Sequence, residues 1–227
     1  MQADAHLRAR PAPPGAEFPA DAPTGLNKLD VGGIRDSYVF VPNRYESATP
    51  APLVLLLHGA GGHAHDGLRI LLHLADHAGI ILVAPASIRH TWDIIAGRNY
   101  GPDRDLLDRA LTDVFARYHV DRSRLAVGGF SDGASYALSL GLANGDLFSH
   151  VLAFSPGFIG PLHPRGQPKV FISHGTDDHI LPIDPCSRRI VAKLSDAGYP
   201  LRYDEFEGEH VIPPQIAESA LAWFTQP

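Results

Sequence analysis

Short apolar runs alternate along this chain with longer segments of helical period. "SYVFVP" (37–42), "PLVLLLH" (52–58), "GIILVAP" (79–85), "SRLAVGGF" (123–130), "HVLAFS" (150–155), "KVFISHG" (169–175) and "LRYDEFEG" (201–208) read as strands. Most are continuous rather than alternating, the pattern of parallel strands buried on both faces. Between them, "HDGLRILLHLADHAG" carries Leu68, Leu71, Leu72, Ala75 and Ala78 on one stripe and stops at Gly79. Residues 103–119 repeat Leu106, Leu107, Ala110, Leu111, Val114 and Phe115 in the same way. "SRRIVAKLSDAG" stops at Gly198, and "PPQIAESALAWF" opens on prolines, where a helix tolerates them. Strand–helix alternation of this kind predicts a doubly wound, mostly parallel α/β sheet, with ligands bound beyond the carboxyl ends of its strands.

Composition narrows the picture. A chain of 227 residues, 44% hydrophobic, suits one domain, placed here at 25–227. Residues 1–24 are rich in Pro and Ala with little periodicity and are expected to form a loose arm. A net charge of -6 argues against nucleic acid or an anionic membrane as partner. No apolar run reaches membrane-spanning length, and "MQADAHLRARPAPPGAEF" has no apolar leader core, so a cytoplasmic protein is expected. Cys186 is the sole cysteine, which excludes an internal disulfide and a cysteine-rich metal site. The pattern carries no signal for oligomeric state.

Against that background one stretch stands out. Gly129-Phe130-Ser131-Asp132-Gly133 reads G-x-S-x-G, between a strand and a helix-compatible segment running to about Asn144. That is the setting of a nucleophile elbow, in which glycines leave room for a strained serine. Two other serines fail the same test: Ser139 lies inside the helix, and Ser155 precedes Pro156, which has no N–H for an oxyanion.

A serine needs a base to take its proton, and the base needs an orienting group; around such an elbow the order is Ser, acid, His. The chain has 13 histidines, but only His210 lies after the loop Thr176-Asp177-Asp178-His179-Ile180-Leu181-Pro182 that follows "KVFISHG". His210 is therefore the candidate base. Asp178 and Asp177 are equally able to orient it on this reasoning.

Acyl transfer also needs donors for an oxyanion. One is the N–H of Asp132; the other belongs to "HGAGG" (58–62), with Ala60 and Gly61 as candidates. The same loop formally fits a dinucleotide fingerprint, but the next strand ends in Ala84-Pro85 without the acid that a ribose requires, so no cofactor is expected. His63 and His65 have ligand-like spacing but no third ligand, so no metal is expected and the stretch reads as a helix cap.

Together, "LLLHGAGG", "GGFSDGAS", "HGTDDHILP" and "EGEH" resemble the α/β-hydrolase superfamily, above all its phospholipase/carboxylesterase branch, over roughly residues 25–227. Dienelactone-hydrolase-like and polyhydroxyalkanoate-depolymerase-like esterases are similar to a lesser degree. The resemblance implies that the acid is Asp178, within H-G-x-x-D-x-x-[VL]-P at His174 to Pro182, and that the loop donor is Ala60. Asp132 stands where that branch usually has Gln, and Ser131 where dienelactone hydrolases have Cys.

About fourteen residues, "PGFIGPLHPRGQPK", occupy the place of a lid in related enzymes, so a minimal cap, or none, and an open cleft are expected. Gly61, Trp92, Phe158, Ile159 and Ile180 are assigned to its lining. The expected activity is that of a serine carboxylesterase on short-to-medium acyl esters, with small-molecule or polymeric substrates. A thioesterase or lysophospholipase, and a non-catalytic hydrolase-fold binder, are the alternatives.

Overall fold

The computed structural model describes residues 5–97 and 99–226. Its strands are β1 (Gly25–Leu29), β2 (Ser37–Val41), β3 (Ala51–Leu57), β4 (Ile81–Ala84), β5 (Val120–Phe130), β6 (His150–Phe154), β7 (Lys169–Gly175) and β8 (Leu201–Phe206). The helices are α1 (Ala64–Arg69), α2 (Leu72–Ala78), α3 (Asp93–Ala96), α4 (Pro102–Arg117), α5 (Asp132–Ala143), α6 (Arg189–Asp196) and α7 (Pro214–Thr225). A π-helical turn, Asp184–Arg188, leads into α6.

All strands join one sheet in the order β1-β2-β4-β3-β5-β6-β7-β8. From β4 to β8 neighbours are parallel, whereas β1 and β2 form an antiparallel hairpin and β2 is antiparallel to β4. The predicted doubly wound sheet is observed. Each apolar run serves two cores at once. Leu53, Leu55 and Leu57 of β3 face a core shared with α4, α5 and α6, while Val54 and Leu56 face the opposite core shared with α1 and α7. This two-sided burial is why the central strands read as unbroken apolar runs.

The differences from expectation have local causes. The single helix predicted over 65–79 breaks in two at Leu71, the non-helical N-cap of α2. Its end is as read: Gly79 takes φ 68° and closes the helix. The sequence pattern missed β1, because "GLNKL" alternates weakly with polar residues at the sheet edge. Residues 155–168, between β6 and β7, contain no helix or strand, in keeping with a minimal cap. No helix of the described residues is long and apolar enough to cross a membrane.

The amino-terminal segment departs from the loose arm expected. Ala5, Leu7 and Ala9 are buried. Asn144, fully buried at the end of α5, accepts the Leu7 N–H at 2.8 Å through Oδ1 and donates Nδ2–H to Ala5 O at 2.9 Å. Asp108 Oδ1 accepts the N–H groups of Arg8 and Ala9 at 2.7 and 2.8 Å. Local composition carries no sign of this, since the partners lie about a hundred residues or more away.

Asn144→Ala leaves buried backbone groups of this segment unpaired and should cost roughly 2–4 kcal/mol. Urea unfolding would measure that loss. Limited trypsin digestion should show earlier cleavage after Arg8, and unchanged cleavage would mean that Asn144 does not hold the segment.

Candidate active site

Every candidate residue of the site follows the carboxyl end of a parallel strand. Ser131 follows β5, Asp178 follows β7, His210 follows β8, and residues 58–63 follow β3. The turn at Ser131 is forced by close packing. Ser131 has φ 56° and ψ -118°, a conformation rare for a residue with a side chain. A Cβ on Gly133 would lie 2.2 Å from Leu57 O, and one on Gly129 would lie 2.5 Å from Gly133 O. Both positions therefore require glycine. The Ser131 N–H donates to Phe154 O at 2.9 Å, tying the turn to the next strand. Helix α5 then starts at Asp132, whose Oδ2 accepts Thr91 Oγ1–H at 2.5 Å.

Asp178 and His210 are brought together. Asp178 is buried and its Oδ2 accepts the His210 Nδ1–H at 2.6 Å, while Asp177 is exposed. The two Asp178 oxygens are well supplied with donors, for Oδ1 accepts the N–H groups of Ile180 and Leu181 at 2.9 and 2.8 Å. Burial alone would raise the pKa of this carboxyl; the Leu181 amide and the His210 contact outweigh it and hold it below the ordinary value. The His210 ring lies against Phe130, the residue before Ser131, at 4.6 Å between centroids. Proximity of the two loops depends on Gly175, where a Cβ would meet Gly208 O at 2.3 Å.

The loop after β3 is fixed from below. His58, fully buried, accepts the Ser87 N–H at Nε2 (3.0 Å) and donates Nδ1–H to Gly59 O at 2.7 Å. Burial pushes its pKa down to about 4, so the imidazole is neutral. Gly61 has φ 70° and gives its N–H to His90 O at 2.9 Å. That amide is committed, which separates Gly61 from Ala60, the other candidate donor. His63 N–H donates to Asp66 Oδ2 at 2.8 Å, the helix cap read from "HAHD".

The proposed lining divides. Trp92 is fully buried: its Nε1–H donates to His58 O at 2.8 Å and its ring packs on Tyr136 at 5.3 Å. It supports the loop after β3 from beneath and does not line a surface, a correction to the expectation. Asp103 holds that region in place by accepting the N–H groups of Ile88 (2.7 Å) and Asp93 (2.8 Å). Phe158 and Ile159 are half-buried and border a cleft of about 300 Å³ with Arg189, Ile190 and Lys193. Ile180 is 70% exposed and Val211 49%, an apolar rim beside Asp178 and His210.

The chain matches the phospholipase/carboxylesterase family over residues 43–223, most of its length. The chain belongs to the phospholipase/carboxylesterase family. Among its relatives, "Probable feruloyl esterase C" of Aspergillus terreus is 29% identical over 170 residues, 71% of this chain and 62% of that protein. Feruloyl esterase C of Emericella nidulans is 27% identical with the same coverage, so the chain spans less than two thirds of these relatives. The S-formylglutathione hydrolase FrmB of Staphylococcus aureus superposes with a TM-score of 0.74 at 17% identity, over 93% of this chain and all of that one. At that identity the likeness concerns the fold alone, which is of the α/β-hydrolase type.

Residues that sequence reasoning missed lie behind this family's motifs. His174 is fully buried; its Nδ1 accepts Ser187 Oγ–H at 2.6 Å, and its Nε2 lies 2.7 Å from Leu181 O and 3.1 Å from Asp178 Oδ2. The signal was present: β3 and β7 both run into His-Gly, at His58-Gly59 and His174-Gly175.

His58 gives a pH dependence of stability. An unfolded imidazole titrates near 6.5, whereas native His58 takes a proton only near pH 4. The unfolded state thus binds more protons between these values, and the contribution is lost as pH falls through that window. Asp103, raised to about 6 by burial, works in the opposite sense. His58→Gln should make the acid-side decline in unfolding free energy shallower by about 1.4 kcal/mol per pH unit. Denaturant titrations from pH 7 to 4.5 check this, and an unchanged slope would place the titrating group elsewhere.

Proposed function

We propose that this chain is a serine esterase with Ser131 as nucleophile, His210 as general base and Asp178 as the group that orients the base. The observation that carries the reading is the 2.6 Å contact between His210 Nδ1 and Asp178 Oδ2. With Nδ1–H engaged there, Nε2 is the ring nitrogen free to take a proton. The strained serine three strands away, against whose neighbour the imidazole stacks, supplies the partner for it.

In this mechanism His210 Nε2 accepts the Ser131 hydroxyl proton as Oγ bonds to the ester carbonyl carbon. The resulting oxyanion takes hydrogen bonds from the N–H groups of Ala60 and Asp132. The C–O bond to the alcohol breaks and the imidazolium returns its proton to the leaving alkoxide. Water, deprotonated by the same imidazole, attacks the acyl-enzyme and releases the acid and Ser131. Asp178, held as a carboxylate below the ordinary range, stabilises the imidazolium in both halves.

On the substrate side, we infer short-to-medium or aromatic acyl esters, including those on bulky or polymeric alcohols. The short connection after β6 and the exposed rim of Ile180 and Val211 favour an open cleft. Each buried methylene contributes only about 0.8 kcal/mol, so preference for long chains would need a deep channel. The feruloyl esterases among the relatives bring aromatic acids into this range.

Three experiments bear on the reading. Ser131→Ala should lower turnover of an aryl ester by several orders of magnitude, and fluorophosphonate should add covalently to Ser131 of the folded protein. Absence of that adduct would favour a non-catalytic binder. Asp178→Asn should nearly abolish turnover while Asp177→Asn is mild; the reverse ranking would move the acid by one residue. Finally, p-nitrophenyl esters from acetate to palmitate should be cleaved best at the short end, with an optimum at palmitate counting against the open cleft.

A further inference from the structure

We propose that Arg35 is a positioning residue that sets the loop donating to the oxyanion, an inference resting on the esterase reading above. Arg35 lies in the turn between β1 and β2, far in sequence from the elbow. Topology delivers it to the site: because β2 is antiparallel to β4, with Tyr38 opposite Ala84, the start of β2 sits beside the carboxyl end of β4. From there its guanidinium reaches two loops at once.

One nitrogen, Nη1, donates to Ser87 O at 3.0 Å, Ser87 Oγ at 3.2 Å and Arg89 O at 2.8 Å. The other, Nη2, donates to Gly62 O and to His63 Nδ1, the latter at 2.6 Å. The planar fork therefore fixes the loop after β3 against the loop after β4 in a single geometry, which a lysine ammonium does not reproduce.

The consequences converge on Ala60. In the same pair of loops, Ser87 N–H bonds His58, Gly61 N–H bonds His90 O and Gly62 N–H bonds Gly59 O at 3.1 Å. Peptides on either side of Ala60 are thus oriented by partners that Arg35 holds together. The loop after β4 also reaches the elbow, since Thr91 Oγ1–H donates to Asp132, the residue of the second proposed donor. One guanidinium links the supports of both amides. Oxyanion donors act only when aimed to within tenths of an ångström, and a misplacement of about 1 Å costs on the order of 100-fold in rate.

Arg35→Ala should lower kcat per fluorophosphonate-titrated Ser131 by about 10–100-fold with KM within about threefold, because ground-state binding does not use the donors. Arg35→Lys should stay low. Methylguanidinium should restore part of the turnover of Arg35→Ala and none of that of Arg35→Lys. Hydrogen exchange at the amides of 58–63 and 86–91 should quicken in both variants. A merely structural role would instead reduce the titratable fraction and leave kcat per site unchanged, and that result would overturn the proposal. If Arg35→Ala does not fold, Arg35→Lys carries the same comparison. Should wild-type protein turn over no ester, the esterase reading fails on its own. The exchange data then judge the clamp: unaltered protection in those loops would refute it.

Discussion

The carbonyl of Leu57, at the end of β3, is the point on which the site is built. Helix α5 crosses so close to it that position 133 has no room for a side chain, and the same closeness excludes one at 129. Ser131 is held between these two contacts in a left-handed conformation, which costs about 1–3 kcal/mol and persists only where surrounding packing dictates it. Here the packing is extreme: from Gly133 to Ala143 every residue of α5 is buried. Strain at the serine is offset by the burial of the helix it begins, and the serine side chain is thereby left at the sheet's carboxyl edge.

Close backbone approach recurs where the loops that carry Asp178 and His210 meet. Gly175 lies against the carbonyls of Gly208 and Glu209, and Asp177 N–H bonds Gly208 O at 3.0 Å. Behind each loop sits a buried histidine that never faces the cleft. His58 and His174 have their pKa values lowered by burial; His58 braces backbone on both sides, and His174 links the Ser187 hydroxyl to the Leu181 carbonyl. Rigidity of the site then comes from hydrogen bonds to polypeptide rather than from ion pairs, whose exposed examples contribute little.

Charge follows the same division. Carboxylates that the fold buries, Asp103 and Asp178, accept several amides each and stabilise loops. The balance differs between them: burial, with the neighbouring Asp93 adding to it, raises Asp103 to about 6, while at Asp178 the Leu181 amide and the His210 hydrogen bond outweigh burial and draw the carboxyl below the ordinary range.

How much of this was legible in the chain itself depends on the range of the interaction. Apolar runs at 52–58, 123–130 and 169–175 sufficed for a parallel sheet because two-sided burial leaves no polar face to interrupt them. Gly129, Ser131 and Gly133 marked the elbow because the spacing of the motif is local, although the carbonyl that excludes side chains beside the serine belongs to Leu57 on β3; loop order selected His210 as the candidate base. The choice of Asp178 over Asp177 needed the resemblance to known hydrolases, or the structure, since either side chain satisfies the same local description. Trp92 was misplaced for a related reason: an aromatic beyond a strand end fits a cleft wall or a buried prop equally well, and only the neighbouring His58 and Tyr136 decide. Asn144 and Arg35 carried no signal at all, because their partners lie far along the chain and meet them only after β2 and α5 have packed. Periodicity and local sterics are written into neighbouring residues, whereas hydrogen bonds between distant loops exist only once the sheet has closed the distance.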